Sequence, residues 1–126
     1  MQPFTTNIEA QTLENNNFRK VLFTAKHMQL VVMCLKPGEE IGMEVHHNVD
    51  QFFRIEQGSA QAVVDDESYT IQKEGVLIVP AGSNHNIINN LADDLKLYTI
   101  YSPPNHPEGT VHSTKAEAEE SEKAGH

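Results

Sequence analysis

Nine short runs of strand-forming residues dominate this chain, and turn residues separate almost all of them. The runs are FRKVLFT (18–24), QLVVMCL (29–35), MEVHH (43–47), QFFRIEQ (51–57), SAQAVVD (59–65), SYTIQ (68–72), VLIVP (76–80), NIIN (86–89) and LKLYTIYS (95–102). Between them stand Pro37-Gly38, Asn48 to Asp50, Gln57-Gly58, Asp65-Asp66, Glu74-Gly75, Ala81-Gly82 and Asp93-Asp94, which favour tight turns. Many short strands at close spacing predict an all-β sandwich or closed barrel. A parallel α/β sheet would need crossover helices, and no run here carries a helical apolar period.

With 126 residues the chain is sized for one domain. No run approaches the ~18 apolar residues that a bilayer demands, and MQPFTTNIEA has neither a basic n-region nor an apolar h-region. The expectation is a cytoplasmic protein with no membrane partner. Cys34, the one cysteine, lies in the apolar run LVVMCL and reads as a buried small hydrophobe. The net charge is −9 and the nine Lys and Arg are scattered, which speaks against a nucleic-acid or anionic-lipid partner. Small molecules, cations and further copies of the chain remain.

Domain organisation follows from where the strand pattern stops. Residues 1–103 are expected to form the β-barrel with its N-terminal strands, and residues 104–126 a C-terminal tail. SPPNHPEGTVH holds three prolines and a glycine, so it predicts an irregular arm that wraps or leaves the barrel. TKAEAEESEKA has a capping box in Thr114 and Glu117 but no apolar stripe, which predicts a solvent-facing helix that frays towards His126.

Chemistry concentrates around MEVHH. Strand alternation puts Glu44 and His46 on one face, with Val45 and His47 on the other. In QFFRIEQ, Gln51 shares a face with Phe53 and Ile55, while Arg54 and Glu56 alternate outward. A carboxylate and an imidazole two residues apart on an inward face can chelate one ion, and a buried amide needs a partner such as a metal or a water. A one-residue slip gives the rival pair His47 and Asp50. The first register keeps Glu44 and His46 in phase and leaves Asp50 as the turn residue. His27, His106, His112 and His126 lack any such context.

PGEEIGMEVHHNVDQFFRIEQG, with Gly38 and Gly58, resembles the first motif of the cupin superfamily: a glycine, two ligands one residue apart, a third shortly after, and a closing glycine. GVLIVPAGSNHNIIN, with Pro80, Gly82, His85 and Asn89, resembles the second. The resemblance covers about residues 18 to 102 and implies a jelly-roll barrel, a double-stranded β-helix, in which Glu44, His46, Gln51 and His85 hold one divalent metal. It also extends to the cupins grouped with mannose-6-phosphate isomerase. The usual set is His, His, Glu and His. Here glutamate stands first and glutamine third, so donor count and total ligand charge are both kept. Two nitrogen and two oxygen donors suit Mn, Fe or Ni in an open octahedral site, with Zn as a further option.

Several functions are compatible with such a site. One is a small metal-dependent enzyme, using Lewis-acid or dioxygen chemistry on a small organic molecule at the barrel mouth, with Glu44 doubling as a general base. Oxygenase, isomerase and lyase activities all fall in this class. A second is a non-catalytic binding module, supported by the scarcity of acid/base groups beyond the ligands on the inferred inner face. Sugar-phosphate isomerisation needs fixed cationic donors near the metal, and Arg54 in the motif region alternates outward. Phe52 also alternates outward, and an exposed aromatic on an edge strand would be explained by a homodimer.

Overall fold

Alternation within the runs is what folds them, because each strand can bury one face only by packing against another sheet. The computed structural model describes residues 1–123. Helix α1 (Ile8–Glu14) comes first, followed by β1 (Arg19–Thr24), β2 (Gln29–Leu35), β3 (Glu44–Val45), β4 (Asp50–Gln57), β5 (Ser59–Val64) and β6 (Glu67–Gln72). Then come β7 (Val76–Val79), β8 (Asn84–Ile88), β9 (Leu95–Ser102), β10 (Val111–His112) and α2 (Lys115–Lys123). One sheet runs β10-β1-β2-β9-β4-β7 and the other β3-β8-β5-β6, with every pairing antiparallel.

The core lies between the sheets. Val31, Met33 and Leu35 of β2, Phe53 and Ile55 of β4 and Leu95 and Leu97 of β9 face Ala60, Ala62 and Ile87 of the second sheet. Burying one such aliphatic side chain is worth about 1.5–3 kcal/mol before conformational entropy is counted. Val32 and Cys34 of β2 are as deeply buried, although they belong to the opposite face. Helix α1 covers that face, lying over β2, β9 and β4, and the Lys96 amino group donates to the Leu13 carbonyl at 2.6 Å.

Three expectations change. The helix over Ile8–Glu14 lies in a stretch whose apolar residues are too few to show a period. It is held instead by its Asn7 cap, which accepts from the Ala10 N–H at 2.9 Å, and by its docking on the barrel. Glu56 does not point to solvent. β4 opposes Ile55 and Gln57 to Leu97 and Lys96 with one residue to spare, and this bulge takes Glu56 out of the alternation, leaving it 5% exposed and 3.2 Å from the Arg54 Nε. Phe52 does face outward, but β4 is flanked by β9 and β7, so it is no edge strand, and the Phe52 ring packs 6.1 Å from Tyr98. Phe52 therefore gives no edge aromatic to support a homodimer.

In the tail, β10 pairs with β1, and α2 docks through Ala118, with the Glu117 N–H bonded to the Thr114 hydroxyl at 3.1 Å as the capping box requires. The fraying expected near His126 lies outside the described residues. None of the described helices is long and apolar enough to cross a membrane.

Candidate metal centre

Strand register brings the first two candidate residues together. Glu44 of β3 and His85 of β8 are directly opposed across an antiparallel pair, so their side chains leave the sheet side by side. His46, two residues beyond Glu44, projects on the same side, and its carbonyl accepts the Gly82 N–H at 2.8 Å. This bond ties the turn of the first motif to that of the second. As a result one donor atom each from Glu44, His46 and His85 lie within 4.8 Å of one another. Donors about 2.0–2.2 Å from a shared ion lie ~3–4.4 Å apart, so the cluster is at the scale of a metal site.

Gln51 comes from the other sheet. It is 2% exposed, in phase with Phe53 and Ile55, and its side-chain N–H donates to the Thr99 hydroxyl at 3.0 Å. The rival residues fall elsewhere: His47 is exposed, and Asp50 caps the second motif by accepting the Ala81 N–H at 2.9 Å.

The unpaired atoms are the more telling feature. Among the described residues, His46 Nε2, His85 Nε2 and Gln51 Oε1 are buried with no hydrogen-bond partner. Native interiors rarely leave such groups unmet, and each would cost on the order of 1–3 kcal/mol. At His85 the tautomer can be deduced. Nδ1 lies 3.1 Å from the Ser83 carbonyl, which can only accept, so Nδ1 carries the proton and Nε2 presents a lone pair. His46 Nε2 lies 3.8 Å from the Glu44 carboxylate, too far for a hydrogen bond. A divalent cation would take the lone pairs of Glu44, His46 and His85 together, so that donor set fits a metal.

The electrostatics agree. Burial pushes the Glu44 carboxyl up to about 7, with the Arg19 charge opposing and Glu122 adding. Burial lowers the pKa of His46, and the neighbouring His85 and Arg19 lower it further. His85 is also lowered by burial, against the Ser83 carbonyl. Both rings are thus held neutral, the form in which imidazole ligates metals.

The interior contains more than the sequence reading assigned to it. Arg19 is 2% exposed, and its Nη1 lies 3.3 Å from His112 Nδ1. Tyr101 is buried against His46 at 5.9 Å between ring centroids, its hydroxyl lies 3.2 Å from His106 Nε2, and burial raises its pKa well above the ordinary phenol value. These groups correct the view that the inner face is poor in acid/base residues. One signal was available: Arg19 stands in the same strand phase as Val21, so an arginine sits where the pattern asks for a core residue. His106 and His112 gave no such signal, because the fold of the Pro-rich arm alone carries them back to the barrel.

Residues 31–101 match the family model described as Cupin domain. The uncharacterized protein YrkC of Bacillus subtilis (strain 168) is 48% identical over 123 residues, 93% of this chain and 66% of YrkC, so the chain spans about two thirds of that relative's length. The crystal structure of BH2720 from Bacillus halodurans is 40% identical with a TM-score of 0.92, over 94% of this chain and 95% of that one. A predicted oxalate decarboxylase from Thermotoga maritima shares the fold at 22% identity and a TM-score of 0.59, over 63% of this chain and 69% of that one.

Proposed function

The chain belongs to the cupin family, and on that premise we propose that Glu44, His46, Gln51 and His85 hold one divalent metal ion in a small metal-dependent enzyme acting at the barrel mouth. The observation that carries this reading is the set of three buried lone-pair atoms without partners, on His46, His85 and Gln51, beside the Glu44 carboxyl. With two nitrogen and two oxygen donors, Mn, Fe or Ni is preferred over Zn. The ion would supply Lewis acidity or a site for dioxygen.

The chain's own residues set up the rest. His85 is oriented by Ser83, and Gln51 by Thr99, before any ion arrives. Glu44 has a second role as a general base, because burial places its proton exchange near neutral pH whenever its oxygen is not ligating. Tyr101 stays protonated through burial, its hydroxyl 3.2 Å from His106 Nε2. A non-catalytic binding module is the competing reading, and the acid/base groups inside the barrel favour the enzyme over it.

Elemental analysis of protein purified without an affinity tag or chelator, alongside Glu44→Ala and His85→Ala, tests the site. One metal per chain, lost in both variants, is expected. Equal trace content in all three proteins rejects the reading. Metal-dependent turnover across carbonyl and catechol-type compounds under air then separates the enzyme from the module, which would bind tightly without turnover.

A further inference from the structure

A guanidinium inside a protein is costly unless an opposite charge meets it. Arg19, at the start of β1, is 2% exposed, and its Nε is buried with no hydrogen-bond partner among the described residues. Its Nη1 lies 3.3 Å from His112 Nδ1, and the guanidinium also stands beside the Tyr101 hydroxyl. Because arginine only donates, His112 must accept through Nδ1 and is therefore neutral. Burial and the Arg19 charge both lower the His112 pKa, which fits. Among the described residues no carboxylate lies within the 4.0 Å of an ion pair to Arg19. The face of the guanidinium stands 5.3 Å from the Phe18 ring, a contact that positions it without neutralising it.

Arg19 lies in strand phase with the core residue Val21, so its charge enters the interior in which the Tyr101 ring packs 5.9 Å from the His46 ring and 5.1 Å from the His106 ring. With a divalent ion in place, the two positive charges of the metal and the one of Arg19 would outweigh the single negative charge of Glu44 inside the barrel, with the exposed Glu122 acting on this space from the solvent side. Two net positive charges in a low-dielectric interior call for an anion.

We propose that Arg19 anchors an oxyanion of the small molecule bound in the barrel, a carboxylate or a phosphate, so that the substrate is a small organic acid held between the guanidinium and the metal. As to the metal this rests on the function proposed above; as to the anion it stands on Arg19 alone. A planar fork with a free Nε–H suits two-point recognition of such a group, which a lysine would not reproduce. It also supplies the fixed cation that Arg54, paired with Glu56 outside the core, does not.

Thermal melts of metal-free protein test this, with sodium oxalate or inorganic phosphate added at constant ionic strength held by sodium chloride. A saturable rise in Tm is expected in the wild type with at least one of the two anions. The rise is expected to disappear in Arg19→Met and to shrink in Arg19→Lys. A response to oxalate alone assigns a carboxylate, and a response to phosphate alone assigns a phosphate. No rise in the wild type with either anion, or an undiminished rise in Arg19→Met, overturns the proposal. Should Arg19→Met fail to fold, the wild-type response and Arg19→Lys decide the matter. Since no metal is present in these melts, a negative elemental analysis would remove the metal reading and leave this result standing.

Discussion

Burial, not residue type, sets the charge of His106. Its Nε2 lies 3.2 Å from the Tyr101 hydroxyl, and burial drives its pKa down to about 3, with the Arg19 charge and the neighbouring His112 and His46 adding to the fall. In the unfolded chain the same ring titrates near 6.5. As pH drops, the unfolded state therefore takes up a proton that the folded state refuses. This residue withdraws stability from about pH 6.5 down towards about pH 3. His106→Gln should accordingly lose less stability than the wild type between about pH 7 and about pH 4, measured as urea midpoints on metal-free protein. Parallel curves for the two proteins would show that His106 is not held neutral by the fold.

Two turns of the second motif lock its elements in place. Asn89, just after β8, donates to the carbonyls of Leu35 at 3.0 Å and Asp93 at 2.8 Å and accepts the Leu91 N–H at 3.1 Å. Its side chain thus joins the end of β2 to the turn before β9. Asn89→Leu fits the space poorly and leaves those backbone groups unmet, so it should cost about 3 kcal/mol by urea unfolding. A cost below ~1 kcal/mol would mean that water replaces the clamp. Gly75 is held by a different constraint. A side chain there would place its Cβ 2.7 Å from the Gln72 carbonyl, so only glycine allows the β6–β7 turn to close against that backbone.

At the scale of the molecule the proposed ion would link the two sheets. Glu44 and His85 belong to the β3-β8-β5-β6 sheet and His46 follows β3, whereas Gln51 is carried by β4 of the other. Binding to the folded state alone would add about 2.7 kcal/mol at a free metal concentration a hundredfold above Kd. Manganese should raise Tm in the wild type, a chelator should reverse the rise, and His85→Ala should show neither effect. Gln51→Leu should keep part of the Tm gain while losing more of the metal's slowing of unfolding, because its three remaining ligands come from one side. Equal slowing in Gln51→Leu and wild type would place Gln51 outside the ligand set.

Strand alternation and turn residues were enough to mark out β1, β2, β4 to β7 and β9 to within a residue or so, and to put Glu44 with His46 and Gln51 with Phe53. Such patterns are local: a period of two in the sequence is already a face in space. His85 joined that set through a motif, and the register of β3 against β8 supplied the geometry. What the chain could not announce was anything set by contacts between distant segments. The bulge that buries Glu56 depends on how β4 meets β9. Helix α1 depends on a barrel face to cover. Arg19, His106 and His112 share one interior only because the C-terminal arm returns to pair with β1. Their charge states are properties of that shared low-dielectric space, which exists only once the chain has closed around it.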